Sequence, residues 1–410
     1  MLLSRLLFFV ILWIPISGIS QQQIGFAFQN PGARRVEIPF ERYSNLVVLP
    51  VQLNNTITLN FILDSGVQNA ILTEKVYGDI LGLNYDRNLT IRGPGENDSI
   101  RVFVVDNIDL SLPGIPGKNL PLLVLAQDFM KLSNNLGHDV HGIIGYDLFK
   151  QFVVEIDFDE QKAIFHDKKR FHARRYYDKI PISVEGTKPY VDVQITQTNG
   201  QKIDVKLLVD TGASHAILIN PATDADLEIP EKNITAVLGT GLGGEIAGLV
   251  GRLNNMKIGR FTFYDLISVY PNEDDYGYGL RSGDRNGTLG GELLSHFNYI
   301  LNYDEAYLYL RRSQEYRKKF EFDLCGLDLL GKGIKYATIV VNRVTENSPA
   351  ARAGVKKGDI ILSINGMTST MADLNDINGI IRSRHGRTII LKIKRNEEEL
   401  KVKFKLERLI

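Results

Sequence analysis

The chain repeats itself, and the repeat limits what it can fold into. Phe61-Ile62-Leu63-Asp64-Ser65-Gly66, followed by Ala70-Ile71-Leu72, is matched by Leu207-Leu208-Val209-Asp210-Thr211-Gly212, followed by Ala216-Ile217-Leu218. Each copy is an apolar run that reads as a buried strand, then a tight turn bearing a carboxylate, then a second apolar run. Asp-Ser/Thr-Gly alone is ordinary turn chemistry, because Asp and the hydroxyl residues bond local backbone and Gly accepts positive φ. A single triplet therefore says little. Here Asp64 and Asp210 lie 146 residues apart, and Ile143-Ile144-Gly145 and Thr288-Leu289-Gly290 place their glycines 81 and 80 residues further on. Each is followed by two strand-like runs, Phe152–Phe158 with Lys162–His166 and Phe297–Tyr303 with Ala306–Leu310. A duplication this long predicts two similar lobes, each carrying one Asp.

Paired loops of this kind, each with a downstream apolar-apolar-Gly and a short helix, resemble the aspartic proteases, with lobes close to the retropepsin type, over about Val36 to Arg312. The resemblance implies a mainly β fold, with two similar retropepsin/pepsin-like lobes sharing a central cleft. It implies catalytic roles for Asp64 and Asp210, and cross-loop support from the hydroxyls of Ser65 and Thr211. Gly66 and Gly212 would let the loops approach. Two carboxylates held close cannot both ionise, so one keeps a proton, as aspartic-protease dyads do. The charged member would activate a water, and the neutral one would donate to the peptide carbonyl. One chain supplies both halves, so catalysis needs no dimer. Family lobes usually have Ala or Ser after the triplet; Ala213 conforms and Val67 departs.

The expected boundaries are a signal peptide over 1–20, lobes over 36–170 and 178–312, and a further domain over 320–408. Arg5 followed by the apolar run Leu6–Ile14, Pro15 and small residues near Gly18-Ile19-Ser20 has the form of a secretory signal; an uncleaved anchor is the alternative. Nine apolar residues are too few to span a bilayer. The single Cys325 forms no intramolecular disulfide, which for an exported chain favours a bacterial periplasmic or extracellular setting. Formal charge is zero overall, but from residue 312 onward 20 Lys+Arg face 12 Asp+Glu, leaving −8 on the preceding part. No basic stripe with interleaved aromatics occurs, which excludes nucleic acid as the expected partner. No His/Cys set has metal-ligand spacing, and neither a metal nor another cofactor is expected. A Gly-x-Ser-x-Gly elbow is likewise missing.

Gly93-Pro94-Gly95 reads as a hairpin tip, in the position of a flap in a lobe of this family, and Gly239–Gly244 as its counterpart. Leu112–Gly117 and Tyr270–Arg285 read as loops, and Leu120–Leu125 as a buried strand running to a turn before Ile143. Beyond residue 320 the pattern changes. Ser348-Pro349 is a helix start and Gly354 a stop, Lys357-Gly358-Asp359 turns into the strand Ile360–Ile364, and Asn365-Gly366 marks a hairpin. Leu374, Ile377 and Ile381 share one helical face. This run resembles a PDZ domain, an α+β unit whose groove takes an extended peptide as an added strand. The resemblance makes Gly326-Leu327-Asp328-Leu329 the peptide-binding loop, with Asp328 where the family has Gly. The ligand is then a C-terminal or internal peptide, or part of this same chain.

Two functions compete on these residues. One is an aspartic endopeptidase acting on peptide or unfolded protein, with the PDZ domain recruiting or positioning substrate. The other is a peptide-binding scaffold that keeps the fold without the reaction. Intact Asp64 and Asp210 favour the first.

Overall fold

The computed structural model describes residues 24–97, 99–272, 274, 285–369 and 371–410. The signal-like segment and most of Tyr270–Arg285 lie outside the described residues. Leu46–Leu53 and Ile57–Leu63 form a hairpin across Asn54-Asn55, both at positive φ, as the sequence predicts. Ile57–Leu63 then delivers Asp64 at its carboxyl end. Gly142–Ile144 runs parallel to it, Ile143 opposite Ile62, and slots between Ile57–Leu63 and Ala70–Leu72. Leu120–Leu125, Ile100–Ile108 and Asn88–Ile91 complete the sheet.

The second lobe repeats that order. Lys188–Thr196 pairs with Lys202–Val209, which delivers Asp210; Gly287–Leu289 runs parallel beside it and borders Ile217–Ile219. Phe261–Pro271, Gly244–Ile258 and Ile234–Gly241 follow. The long hairpin Gly244–Ile258/Phe261–Pro271 has no counterpart in the sequence reading. Asn254 and Asn255 interrupt its apolar alternation mid-strand, and Tyr270, assigned there to a loop, is a buried strand residue.

The strand pairs that follow each lobe meet. Val153–Asp157 pairs with Phe297–Asn302, Glu155 opposite Ile300, at the centre of a six-stranded sheet that joins the lobes from below. Its buried side chains, Val154, Ile156, Tyr299 and Leu301, merge both lobes into one apolar core. The protein is mainly β, with two similar lobes followed by a smaller α+β unit.

That last unit is a sheet ordered Leu327–Lys332, Thr338–Val344, Ile360–Ile364, Thr388–Arg395, Glu398–Lys405, packed on the helix Leu374–Ile381. Leu374, Ile377 and Ile381 are buried, as the helical spacing predicts. Asp373 caps the helix, accepting from Asp376 N at 2.7 Å while the Asp376 carboxylate accepts from Asp373 N. Leu327–Lys332 lies at the sheet's edge, beside the helix. Two expectations change. Leu327, Asp328 and Leu329 belong to this strand, so only Gly326, at φ +82°, remains a turn residue. Gly117–Lys118, at the end of the expected loop, pairs with Gly25–Phe26.

Candidate active site

Each Asp is fixed by its own lobe before the lobes meet. The parallel neighbour strand gives Asp64 N an acceptor, Ile144 O at 2.8 Å, and Asp210 N another, Leu289 O at 2.9 Å. Gly145 and Gly290 follow those strands because the loop crosses there: a Cβ on Gly145 would lie 1.8 Å from Asp64 O. Each carboxylate accepts from the glycine two residues on, Gly66 N to Asp64 Oδ1 at 2.6 Å and Gly212 N to Asp210 Oδ1 at 3.0 Å.

The two loops then lock across the lobe boundary. Ser65 N donates to Thr211 Oγ1 at 3.0 Å and Thr211 N to Ser65 Oγ at 3.1 Å. The hydroxyls in turn donate onward, Ser65 Oγ to Val209 O at 2.6 Å and Thr211 Oγ1 to Leu63 O at 2.7 Å. All four bonds are buried, where an unmade bond costs more than a made one gains. The carboxyls of Asp64 and Asp210 meet at Gly66, where a Cβ would lie 3.1 Å from Asp64 Oδ1 and 3.3 Å from Asp210 Oδ1. A Cβ on Gly212 would lie 2.4 Å from Asp64 Oδ2, so the approach requires glycine. Burial first, and the Asp210 charge second, hold the Asp64 carboxyl well above the usual carboxylate range.

The pair lies in a cleft of about 930 Å³ between the lobes. The hairpin tips close over it. Gly243 N donates to Pro94 O at 2.8 Å, Asn97 N to Gly243 O at 3.0 Å, Asn97 Nδ2 to the same oxygen at 2.6 Å, and Glu96 N to Glu245 O at 3.2 Å. A Cβ on Gly95 would lie 2.4 Å from Gly243 C, so the tips meet glycine to glycine. Val67 is accommodated against Gly145, where a Cβ would come within 2.9 Å of Val67 Cγ1.

Sequence reasoning passed over four residues here. Lys188 lines the cleft, and its charge favours the ionised form of Asp64. His215, three residues past Gly212, lines it too, with Nε2 unpartnered and a pKa pushed down to about 4 by burial, so the ring is neutral. Glu292 is raised to about 7 by burial. Tyr303 stacks on Phe149 and donates to Ser65 O at 3.3 Å. Of these His215, three residues past Gly212, and Glu292, two past Gly290, sit close enough to the repeated motif for the sequence to flag them.

The cleft continues past the second flap to Leu327, Asp328, Arg343 and Arg382 of the C-terminal unit. The expected peptide-binding residues therefore face the same opening as the carboxyl pair. Cys325 N is already used: it donates to the Asp323 carboxylate at 2.8 Å.

The aspartyl protease family model matches residues 49–148 and 191–293, the two segments that hold the paired loops, and the PDZ domain model matches 340–395. The chain is thus an aspartyl protease double lobe followed by a C-terminal PDZ domain. Among curated proteins it is similar to a probable CtpA-like serine protease of Staphylococcus haemolyticus, 29% identical over 92 residues, and to 26S proteasome non-ATPase regulatory subunit 9 of Drosophila melanogaster, 39% identical over 66 residues. These stretches are 22% and 16% of this chain, and 18% and 30% of the relatives' own lengths.

Proposed function

We propose that the protein is an exported aspartic endopeptidase in which Asp64 and Asp210 act as one acid–base pair. The carrying observation is the pair of facing carboxyls in a cleft shared by two duplicated lobes. One carboxyl of the pair holds the proton and the other carries the charge. A water between them gives a proton to the charged carboxyl as its oxygen bonds the scissile carbonyl carbon. The protonated carboxyl gives its proton to the carbonyl oxygen. Collapse of the tetrahedral species breaks the C–N bond as the nitrogen takes the proton that came from the water, and the gem-diol returns a proton to the carboxyl that gave one up. Ser65, Thr211, Gly66 and Gly212 position the pair. The PDZ domain positions substrate as one wall of the cleft.

The test is cleavage of a denatured protein across pH 3–8 by the wild type, Asp64→Asn and Asp210→Asn. Loss of about 10³-fold or more in both variants is expected for removal of an acid–base partner. Full activity in either variant would overturn the pairing. Activity in both, abolished by a serine-directed reagent, would move the reaction elsewhere.

A further inference from the structure

The PDZ groove lies between the edge strand Leu327–Lys332 and the helix Leu374–Ile381, and one end of it is occupied. The occupant is the short lobe-one helix Leu132–Leu136 with the residues after it. Asn134 Nδ2 donates to Gly331 O at 2.9 Å, on the edge strand. Gly137, at φ +72°, sits between strand and helix. A Cβ on Gly137 would lie 2.6 Å from Leu374 Cβ, and one on Gly331 would lie 2.9 Å from Gly137 Cα. His138 Nε2 lies 3.1 Å from Asp373 Oδ2, the helix cap, and stacks on Tyr43 of lobe one with ring centroids 3.8 Å apart. Asn134–His138 thus touches both walls of the groove. At the groove's other end Asp323 accepts from the Cys325 amide at 2.8 Å.

The same lobe-one helix reaches the active-site roof. Asn135 Nδ2 donates to Thr240 Oγ1 at 3.0 Å, on the second flap. A second tie joins that flap to the PDZ sheet, Arg343 Nη2 to Glu245 Oε2 at 2.9 Å. Leu132, Asn135 and Leu136 line the cleft. The groove, the helix and the flap form one run of contacts.

We propose that the PDZ groove is a docking surface for this chain's own segment Asn134–His138, and that the docked segment, with the Arg343–Glu245 pair, latches the second flap shut over Asp64 and Asp210. A substrate strand enters only when the flaps part, so the docked state restrains proteolysis. An extended peptide adding to Leu327–Lys332 displaces Asn134–His138 and releases the flap. The free carboxylate of a C-terminal peptide meets Asp323 at that amide, so the displacing strand is an internal one. The restraint on proteolysis rests on the endopeptidase reading; the occupancy of the groove does not.

The experiment uses the full chain and two independent variants. Gly331→Val wedges the groove from the PDZ side, where φ is ordinary for a strand; Arg343→Ala combined with Asp373→Ser removes two of the three polar ties, Arg343–Glu245 and His138–Asp373, and keeps a helix cap. Hydrogen exchange by mass spectrometry is read over 132–138 and 234–245, with hydrolysis of fluorescently labelled casein beside it. Expected are faster exchange in both segments and hydrolysis at least about threefold faster, the scale of one hydrogen bond and one surface ion pair. Unchanged exchange at 132–138 in both variants overturns the docking. Faster exchange with hydrolysis unchanged or slower overturns the latch. If no variant hydrolyses casein, the endopeptidase reading fails while the exchange at 132–138 still decides the docking.

Discussion

At the scale of single residues, the structure explains why two positions admit only glycine and why charge is unevenly shared. Gly212→Ala puts a methyl where the Asp64 carboxylate lies, 2.4 Å away. Prising the pair apart by about 1 Å should cost activity about 100-fold, with little change in the thermal midpoint; steady-state kinetics and a melting curve separate the two. Lys188 favours the ionised form of Asp64. Removing that cation raises the Asp64 pKa further, so in Lys188→Met the alkaline limb of kcat/KM moves to higher pH. A limb that stays or moves down sinks the electrostatic role. Asp64 also sets a stability slope. Its folded-state pKa lies above the unfolded value. In the window between those two values the native state binds more protons, so stability falls as pH rises through it. Asp64→Asn carries no such charge, and its thermal midpoint should exceed that of the wild type at pH 7 and converge with it in acid.

At the scale of elements, the cross-loop bonds are the joint between lobes. Ser65→Ala and Thr211→Val each break buried bonds to the opposite loop and should each cost about 2–4 kcal/mol by denaturant unfolding. The double variant should cost less than the sum, because each change already strands the other's partner. Much of this joint was legible in the sequence. The repeat placed both Asp residues at strand ends, because buried runs and tight turns leave a local signature. The helix Leu374–Ile381 was legible for the same reason, with Leu374, Ile377 and Ile381 one face apart. Leu132–Leu136 was not: five residues with two asparagines carry no helical period, and its polar side chains serve contacts with Gly331 and Thr240 that are remote in sequence. Lys188 was hidden likewise, since only folding brings it beside the pair.

At the scale of the whole molecule, the PDZ domain is fused to the lobes by more than a linker. Phe320 and Ile410 belong to the lobes' own core, and Phe320 stacks on His296 with centroids 4.4 Å apart. Arg252 of lobe two donates to Phe320 O at 3.1 Å and Ile410 O at 3.4 Å, and pairs with Glu321 and Asp265. Its side chain is 12% exposed, so Arg252→Ala leaves acceptors buried without a donor and should cost about 3 kcal/mol. Calorimetry should show one cooperative transition in both proteins, shifted downward in the variant. A separate early transition for the PDZ domain in the wild type would show that the units unfold independently. Of the four ion pairs that Arg252 and Arg408 make with Glu321 and Asp265, one, Asp265–Arg408, joins the part of net charge −8 before residue 312 to the part of net charge +8 from 312 on in the sense of that asymmetry.

The meeting of the flap tips has a kinetic consequence. Four hydrogen bonds join Pro94, Glu96 and Asn97 to Gly243 and Glu245, and in the proposed endopeptidase they would break once to admit the chain and again to let the fragments go. Gate motion rather than bond cleavage would then limit kcat. Turnover should slow in viscous solvent and respond weakly to the chemical nature of the leaving amine. The hydrolytic centre would idle for most of each cycle, waiting on a door.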